Sequence, residues 1–212
     1  MPMLTWSEYI KIFTALLVII NPVGAIPVFV ATTNDDPPKD RLRTARVTAC
    51  SVGIVLTVTV LVGEALLRFF GVSIASFRVG GGILILLNAI AMFYAQSSQS
   101  RYTDEEAREA EEKEDIAVVP LSIPLLAGPG AISTVIIYSN QAESWGHDGI
   151  LIFISAAAAC LVWLVLRLAI PIGKMMGKTG INIATRLMGL LLAAIAIEFI
   201  AGGLSQLLPG LL

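Results

Sequence analysis

Asn21-Pro22-Val23-Gly24-Ala25-Ile26-Pro27 lies inside an apolar run from about residue 8 to 33, and Ala127-Gly128-Pro129-Gly130-Ala131-Ile132 lies inside another from about 117 to 139. Each run is long enough to cross a bilayer, for which an α-helix needs about 20 apolar residues. A proline within such a helix removes a backbone donor and clashes with the preceding turn, and neighbouring glycines let the chain leave helical geometry. Both stretches are therefore predicted to break a membrane helix near its middle. The N–H and C=O groups freed there cannot stay unpaired in hydrocarbon, so the broken segments must be sheltered by protein or line a water-filled cavity.

Outward from these stretches, apolar runs at about 46–69, 76–95, 149–171 and 184–207 bring the expected number of spans to six. Composition agrees: of 212 residues 56% are hydrophobic and 14% charged, where a soluble domain carries about 25% charged residues, and mean hydropathy is +0.83. The run from Tyr9 to Thr32 follows no basic segment and offers no clear cleavage site, so it reads as a retained span rather than a signal peptide. A net charge of -2 provides no basic surface for nucleic acid. Cys50 and Cys160 each fall in an apolar run and are expected to be buried small hydrophobes. Between spans, residues 34–43 with Pro37 and Pro38 read as a loop. Residues 96–115 carry eight acids against three bases and no apolar stripe, which predicts a solvated cytoplasmic segment.

The two Pro/Gly stretches belong to a repeat. Pro22 and Pro129 are 107 residues apart, Gly71-Val72-Ser73-Ile74-Ala75-Ser76 matches Gly180-Ile181-Asn182-Ile183-Ala184-Thr185 at an offset of 109, and Arg78-x-x-Gly81 matches Arg186-x-x-Gly189 at 108. Three spans per half is an odd number, so the second half enters the membrane from the opposite face. The expected fold is an all-α membrane protein of six transmembrane helices in two inverted three-helix repeats, with helices one and four broken. Residues 1–95 form the first repeat, 96–116 an acidic cytoplasmic loop and 117–212 the second repeat. Transporters are built this way, with solute bound near the midplane.

A half-helix following a break presents N–H groups and a positive dipole end to a carboxylate, while unwound carbonyls accept from an ammonium. A zwitterionic amino acid satisfies both. The candidate solute-binding residues are Asn21, Pro22, Gly24, Gly128, Pro129 and Gly130. The Asn21 side chain suits either capping of a half-helix or contact with solute. Asn88, in the third span, suits an interhelical hydrogen bond, and Gly80, Gly81 and Gly82 suit close helix approach.

Of the 14 lysines and arginines, ten flank the first, third and fifth loops, two (Lys11 and Arg68) lie on the opposite side, and Arg78 and Arg186 fall within spans. Excess positive charge marks the cytoplasmic side, so both termini are expected outside. Ionisable groups in a membrane need partners. Arg78, Arg186, Glu64 and Glu198 are candidate structural or gating charges, with either glutamate able to neutralise Arg78. Enzyme chemistry is not expected: the sole histidine, His147, falls in a predicted outer loop, and all six aspartates lie in loops or at their edges. Gly173 to Thr179 has three residues between its glycines where a phosphate loop needs four.

Asn21 to Phe29, Phe77-Arg78-Val79-Gly80-Gly81-Gly82, Val119-Pro120-Leu121-Ser122-Ile123-Pro124 with Ala127-Gly128-Pro129-Gly130, and Gly180-Ile181-Asn182 through Arg186-Leu187-Met188-Gly189 closely resemble the MarC family, over nearly the whole chain. That resemblance implies a six-span inner-membrane protein with a wider relationship to the LysE group of exporters, and some members are described as small neutral amino acid transporters. With the broken helices, it gives the expected function: a secondary transporter for a solute such as glycine or alanine, working by rocking of the two halves. No cofactor is expected, protons and sodium being the candidate coupling ions. The expected partners are the solute and the lipid bilayer, with association of like copies open and no nucleic acid. The rival expectation is a non-transporting structural or lipid-interacting membrane protein whose breaks serve packing alone.

Overall fold

The computed structural model describes residues 4–33, 36–94, 126–141 and 144–211. These residues are helical almost throughout. Helix α1 (Trp6–Ile20) begins where the Glu8 carboxylate accepts from the Thr5 N–H at 2.6 Å and from its hydroxyl at 2.8 Å. It stops because Pro22 has no N–H to return to Val18 and because Asn21 takes a left-handed conformation, φ 48° and ψ 65°. After the turn the chain resumes as the short α2 (Ile26–Thr32).

Helix α3 (Pro38–Phe69) and helix α4 (Ile74–Phe93) complete the first half. In the second half, α5 (Pro129–Ser139) is a half-length apolar helix, and α6 (Trp145–Arg167) and α7 (Ala169–Leu207) are long. A short 3-10 turn, Pro209–Leu211, follows. Among the described residues four helical segments are long and apolar enough to span a bilayer: α3, α4, α6 and Thr179–Leu207 within α7. The expected spans one and four are present as shorter pieces, since proline divides the first and the fourth is described only from Leu126. The acidic segment 96–116 lies outside the described residues.

The pairing of α4 with α7 is the most extensive in the fold. A Cβ at Gly203 would stand 2.8 Å from the Ala75 carbonyl oxygen, one at Gly82 2.9 Å from that of Ala196, and one at Gly189 3.0 Å from that of Ala89. Positions 75, 82 and 89 ascend by sevens as 203, 196 and 189 descend by sevens, so the helices run antiparallel with their backbones nearly touching. Hydrocarbon gives apolar side chains little reason to leave lipid, and this close approach supplies the packing that lipid cannot. Gly63 of α3 and Gly81 of α4 make the recess into which α5 inserts, against Ile136 and Ser133 respectively. Gly80 faces open space.

Several sequence expectations are corrected here. The loop expected over 34–43 ends at Pro37, because Pro38 occupies the first helical position, where a missing N–H costs nothing. The loop expected between 171 and 184 is helix on both sides of a single break at Gly177, φ 60° and ψ 178°. Pro171, within the first turn of α7, instead sets the restart after Leu168 by removing the donor that Arg167 C=O would use. His147 lies not in an outer loop but in the first turn of α6 and is fully buried. Cys50 and Cys160 are exposed rather than buried. An apolar residue in a membrane helix can point at lipid as well as at protein, and hydropathy does not separate the two.

Candidate functional site

Helix α1, which stops before Pro22, and helix α5, which starts at Pro129, are joined at their far ends by the chain's single histidine. His147 Nε2 lies 2.8 Å from the Tyr138 carbonyl oxygen, near the end of α5, and Nδ1 lies 2.9 Å from the Tyr9 hydroxyl in α1. A carbonyl only accepts, so Nε2 carries the proton and Tyr9 O–H donates to Nδ1. Trp6 and Trp145, both highly exposed, flank this clamp, as residues of a membrane interface do. From the clamp, α1 runs ten residues from Tyr9 to Ile19, and α5, followed backward, runs nine from Tyr138 to Pro129. At about 1.5 Å per residue these paths are ~15 and ~14 Å. Both therefore reach their breaks at about half the depth of a ~30 Å hydrocarbon core.

The breaks meet at that depth. A Cβ at Gly130 would stand 3.5 Å from Ile19 Cγ2 and 3.0 Å from Ile85 Cγ1. Gly128 is extended, φ -68° and ψ 178°, as the residue before a proline must be, and Pro129 opens α5. Around this opening is a cavity of about 370 Å³, lined by Ile19, by Gly128 to Ala131, and by the Ile85, Asn88 and Ala91 face of α4. Its size is at the lower end of the ~300–1,000 Å³ range of small-molecule sites. Asn88 is its polar side chain, and the N-terminal end of α5, where a helix dipole is positive, faces it.

The structure divides the six candidate binding residues. Gly128, Pro129 and Gly130 line the cavity. Asn21, Pro22 and Gly24 form the wall behind Ile19 instead. Asn21 Oδ1 accepts from the Gly24 N–H at 3.2 Å, which caps the turn, and Nδ2 points at the Met92 sulfur at 3.8 Å. Pro22 is buried. A Cβ at Gly24 would collide with the Asn21 amide, so this capping requires glycine. Asn88 and Met92 are one turn apart on α4, so both breaks address the same helix face. Sequence reasoning treated Asn88 as packing; its one available signal was an amide in an apolar span, which fits either role.

The charged candidates lie elsewhere. Glu64 pairs with Arg68 one turn on, rather than with Arg78. Arg78 lies over the Phe199 ring at 5.7 Å and against Gly202, with its Nε–H buried and without an acceptor among the described residues. The ring face meets the charge where a carboxylate was expected. Glu198 and Arg186 are exposed on α7, and Glu198 forms no ion pair with Arg78. Among the described residues no three histidine, cysteine or acidic side chains cluster as a metal site would require.

Residues 6–208 match the family model described as MarC family integral membrane protein. The chain belongs to the MarC family. Among its relatives, the UPF0056 membrane protein YhcE of Escherichia coli (strain K12) is 40% identical over 205 residues, covering 96% of this chain and 95% of that protein. UPF0056 membrane protein BU267 of Buchnera aphidicola is likewise 40% identical, over 97% and 96% of the two chains. YvbG of Bacillus subtilis (strain 168) is 35% identical over 96% and 97%. No solved structure matches this MarC-family chain. It is an integral membrane protein, and its family likeness runs through both breaks and the cavity between them.

Proposed function

We propose that this MarC-family chain is a secondary transporter of the inner membrane, with both termini outside, that moves a small neutral amino acid of the glycine or alanine class and is not an enzyme. The observation that carries this reading is the cavity at mid-depth, where the ends of two broken helices meet. The helix end at Gly128 to Gly130 offers a positive dipole to the solute carboxylate, and Asn88 is a polar side chain in the lining of the same cavity. The cavity is otherwise walled by Ile19, Ile85 and Leu126, which leave room for a hydrogen or methyl side chain and disfavour a charged one.

The antiparallel pairing of α4 with α7, and of α3 with α6 where Gly53 meets Ala159, supports two halves of opposite orientation. In that arrangement α1, α2 and α5 lie against both pairs, so rocking one half on the other would open the cavity to each side in turn. A proton or sodium gradient would drive the cycle.

The test is purified chain in liposomes, given a panel of labelled amino acids with and without each gradient. Uptake or counterflow of glycine or alanine, competed by the other, is the expected result. Absence of both under every gradient would reject transport of this class and leave a packing role for the breaks.

A further inference from the structure

On the flank of the molecule away from the cavity, α3 and α6 leave between them an apolar groove of about 650 Å³. Its floor is small, with Gly53 placed so that a Cβ would lie 3.1 Å from Ala159, and its sides carry Cys50, Ile54 and Cys160, all exposed. One end is different. Arg46, in the early turns of α3, and Trp163, in the last turns of α6, both line the groove, and the Arg167 guanidinium lies 5.1 Å from the Trp163 ring centroid. Because the helices are antiparallel, the start of one and the end of the other bring two arginines and a tryptophan to one membrane face. Neither arginine has an ion-pair partner among the described residues.

We propose that this groove holds an anionic phospholipid of the phosphatidylglycerol type, with an acyl chain along the Gly53–Ala159 floor and the phosphate between Arg46 and Arg167. The chemistry of the two ends selects this occupant. A soluble anion has no use for the apolar length, and a zwitterionic lipid brings its own cation to the arginines. A second copy docked by two-fold symmetry would place another Arg46 and Arg167 beside the first pair, where like charges repel. Trp163 sits at headgroup level, where indoles of membrane proteins concentrate. Basic side chains beside the membrane surface attract anionic headgroups strongly enough for two of them to give a preference of about thirtyfold. This site does not depend on the transport reading.

The chain has three tryptophans, and Trp6→Phe with Trp145→Phe leaves Trp163 as the sole tryptophan, excited selectively above the tyrosine band. Full-length protein is placed in phosphatidylcholine vesicles containing chain-brominated phosphatidylglycerol or chain-brominated phosphatidylcholine at equal mole fractions. The expected result is about thirtyfold stronger relative binding of the brominated phosphatidylglycerol, read from quenching of Trp163. Adding Arg46→Gln and Arg167→Gln should bring the two lipids to parity while leaving basal quenching by phosphatidylcholine in place. Equal quenching in the parent protein, or a preference that survives the double substitution, overturns the proposal. So does efficient copy-to-copy cross-linking through Cys160 in a Cys50→Ser background that phosphatidylglycerol does not suppress, since that result puts a second chain in the groove.

Discussion

At the first break the chain turns inside a shell that it builds itself, whereas at the second the described residues line a cavity. Asn21 folds its amide over Gly24, Pro22 is buried, and Ala25 and Ile26 are almost wholly enclosed. Gly128, Pro129 and Gly130 instead form the rim of a cavity. The difference comes from one side chain. Asparagine tolerates the left-handed conformation and brings its own acceptor, so the first turn satisfies itself. Gly128 in the corresponding place has no side chain: its carbonyl accepts from the Ala131 and Ile132 N–H groups, and no side chain caps this turn among the described residues. On the transporter reading proposed above, the first break serves as a wall and the second as the binding surface.

Filling the second break should have the largest effect. Gly130→Leu drives a side chain between Ile19 and Ile85 into the cavity, and initial transport rates in proteoliposomes should fall about a hundredfold. The protein should still elute as a single species. Gly24→Ala strikes the first break, where the new methyl displaces the Asn21 amide. Thermal unfolding in detergent should show a loss of about 2 kcal/mol, with KM for the surviving protein changed less than about twofold.

The two asparagines sharpen the contrast. Asn88→Ala removes the cavity's amide and should raise KM about tenfold, whereas Asn21→Ala should leave KM within about twofold and lower stability by about 1 kcal/mol, as loss of a cap does. A larger KM effect from Asn21 than from Asn88 would exchange the roles of the two breaks. Smallest is Tyr9→Phe at the outer clamp. It leaves a buried His147 Nδ1 without its donor, and a shift of about 1 kcal/mol in unfolding, with no change in KM, is expected.

How far the sequence reads depends on which physical rule is at work. Proline and glycine act locally, so the break at Pro22, the helix start at Pro129 and the family likeness were legible from a few residues. The long spans were legible because hydropathy over about 20 residues is a strong signal. Direction within a span was not: Cys50 and Cys160 share their hydropathy with buried neighbours, and only packing decides that they are exposed. His147 looked like a loop residue because Gly146, Asp148 and Gly149 surround it, yet Ser144 caps a helix there and two long-range hydrogen bonds bury the ring. Arg78 was expected to need a carboxylate and has a phenyl ring, a choice that depends on α4 and α7 meeting at Gly202. Asn21 and Gly128 looked equivalent under the repeat, and their different roles emerge only where neighbouring side chains either close the turn or leave it open.

Cysteine accessibility tests the difference between the breaks most directly. With Cys50 and Cys160 replaced by serine, single cysteines are placed at Ala91, which lines the cavity, and at Ala25, which is 2% exposed inside the first turn. Ala91→Cys should react with a small water-borne methanethiosulfonate and be protected by millimolar glycine or alanine, while Ala25→Cys should not react. A silent Ala91→Cys, or one that reacts at the same rate whichever neutral amino acid is present, would contradict that difference.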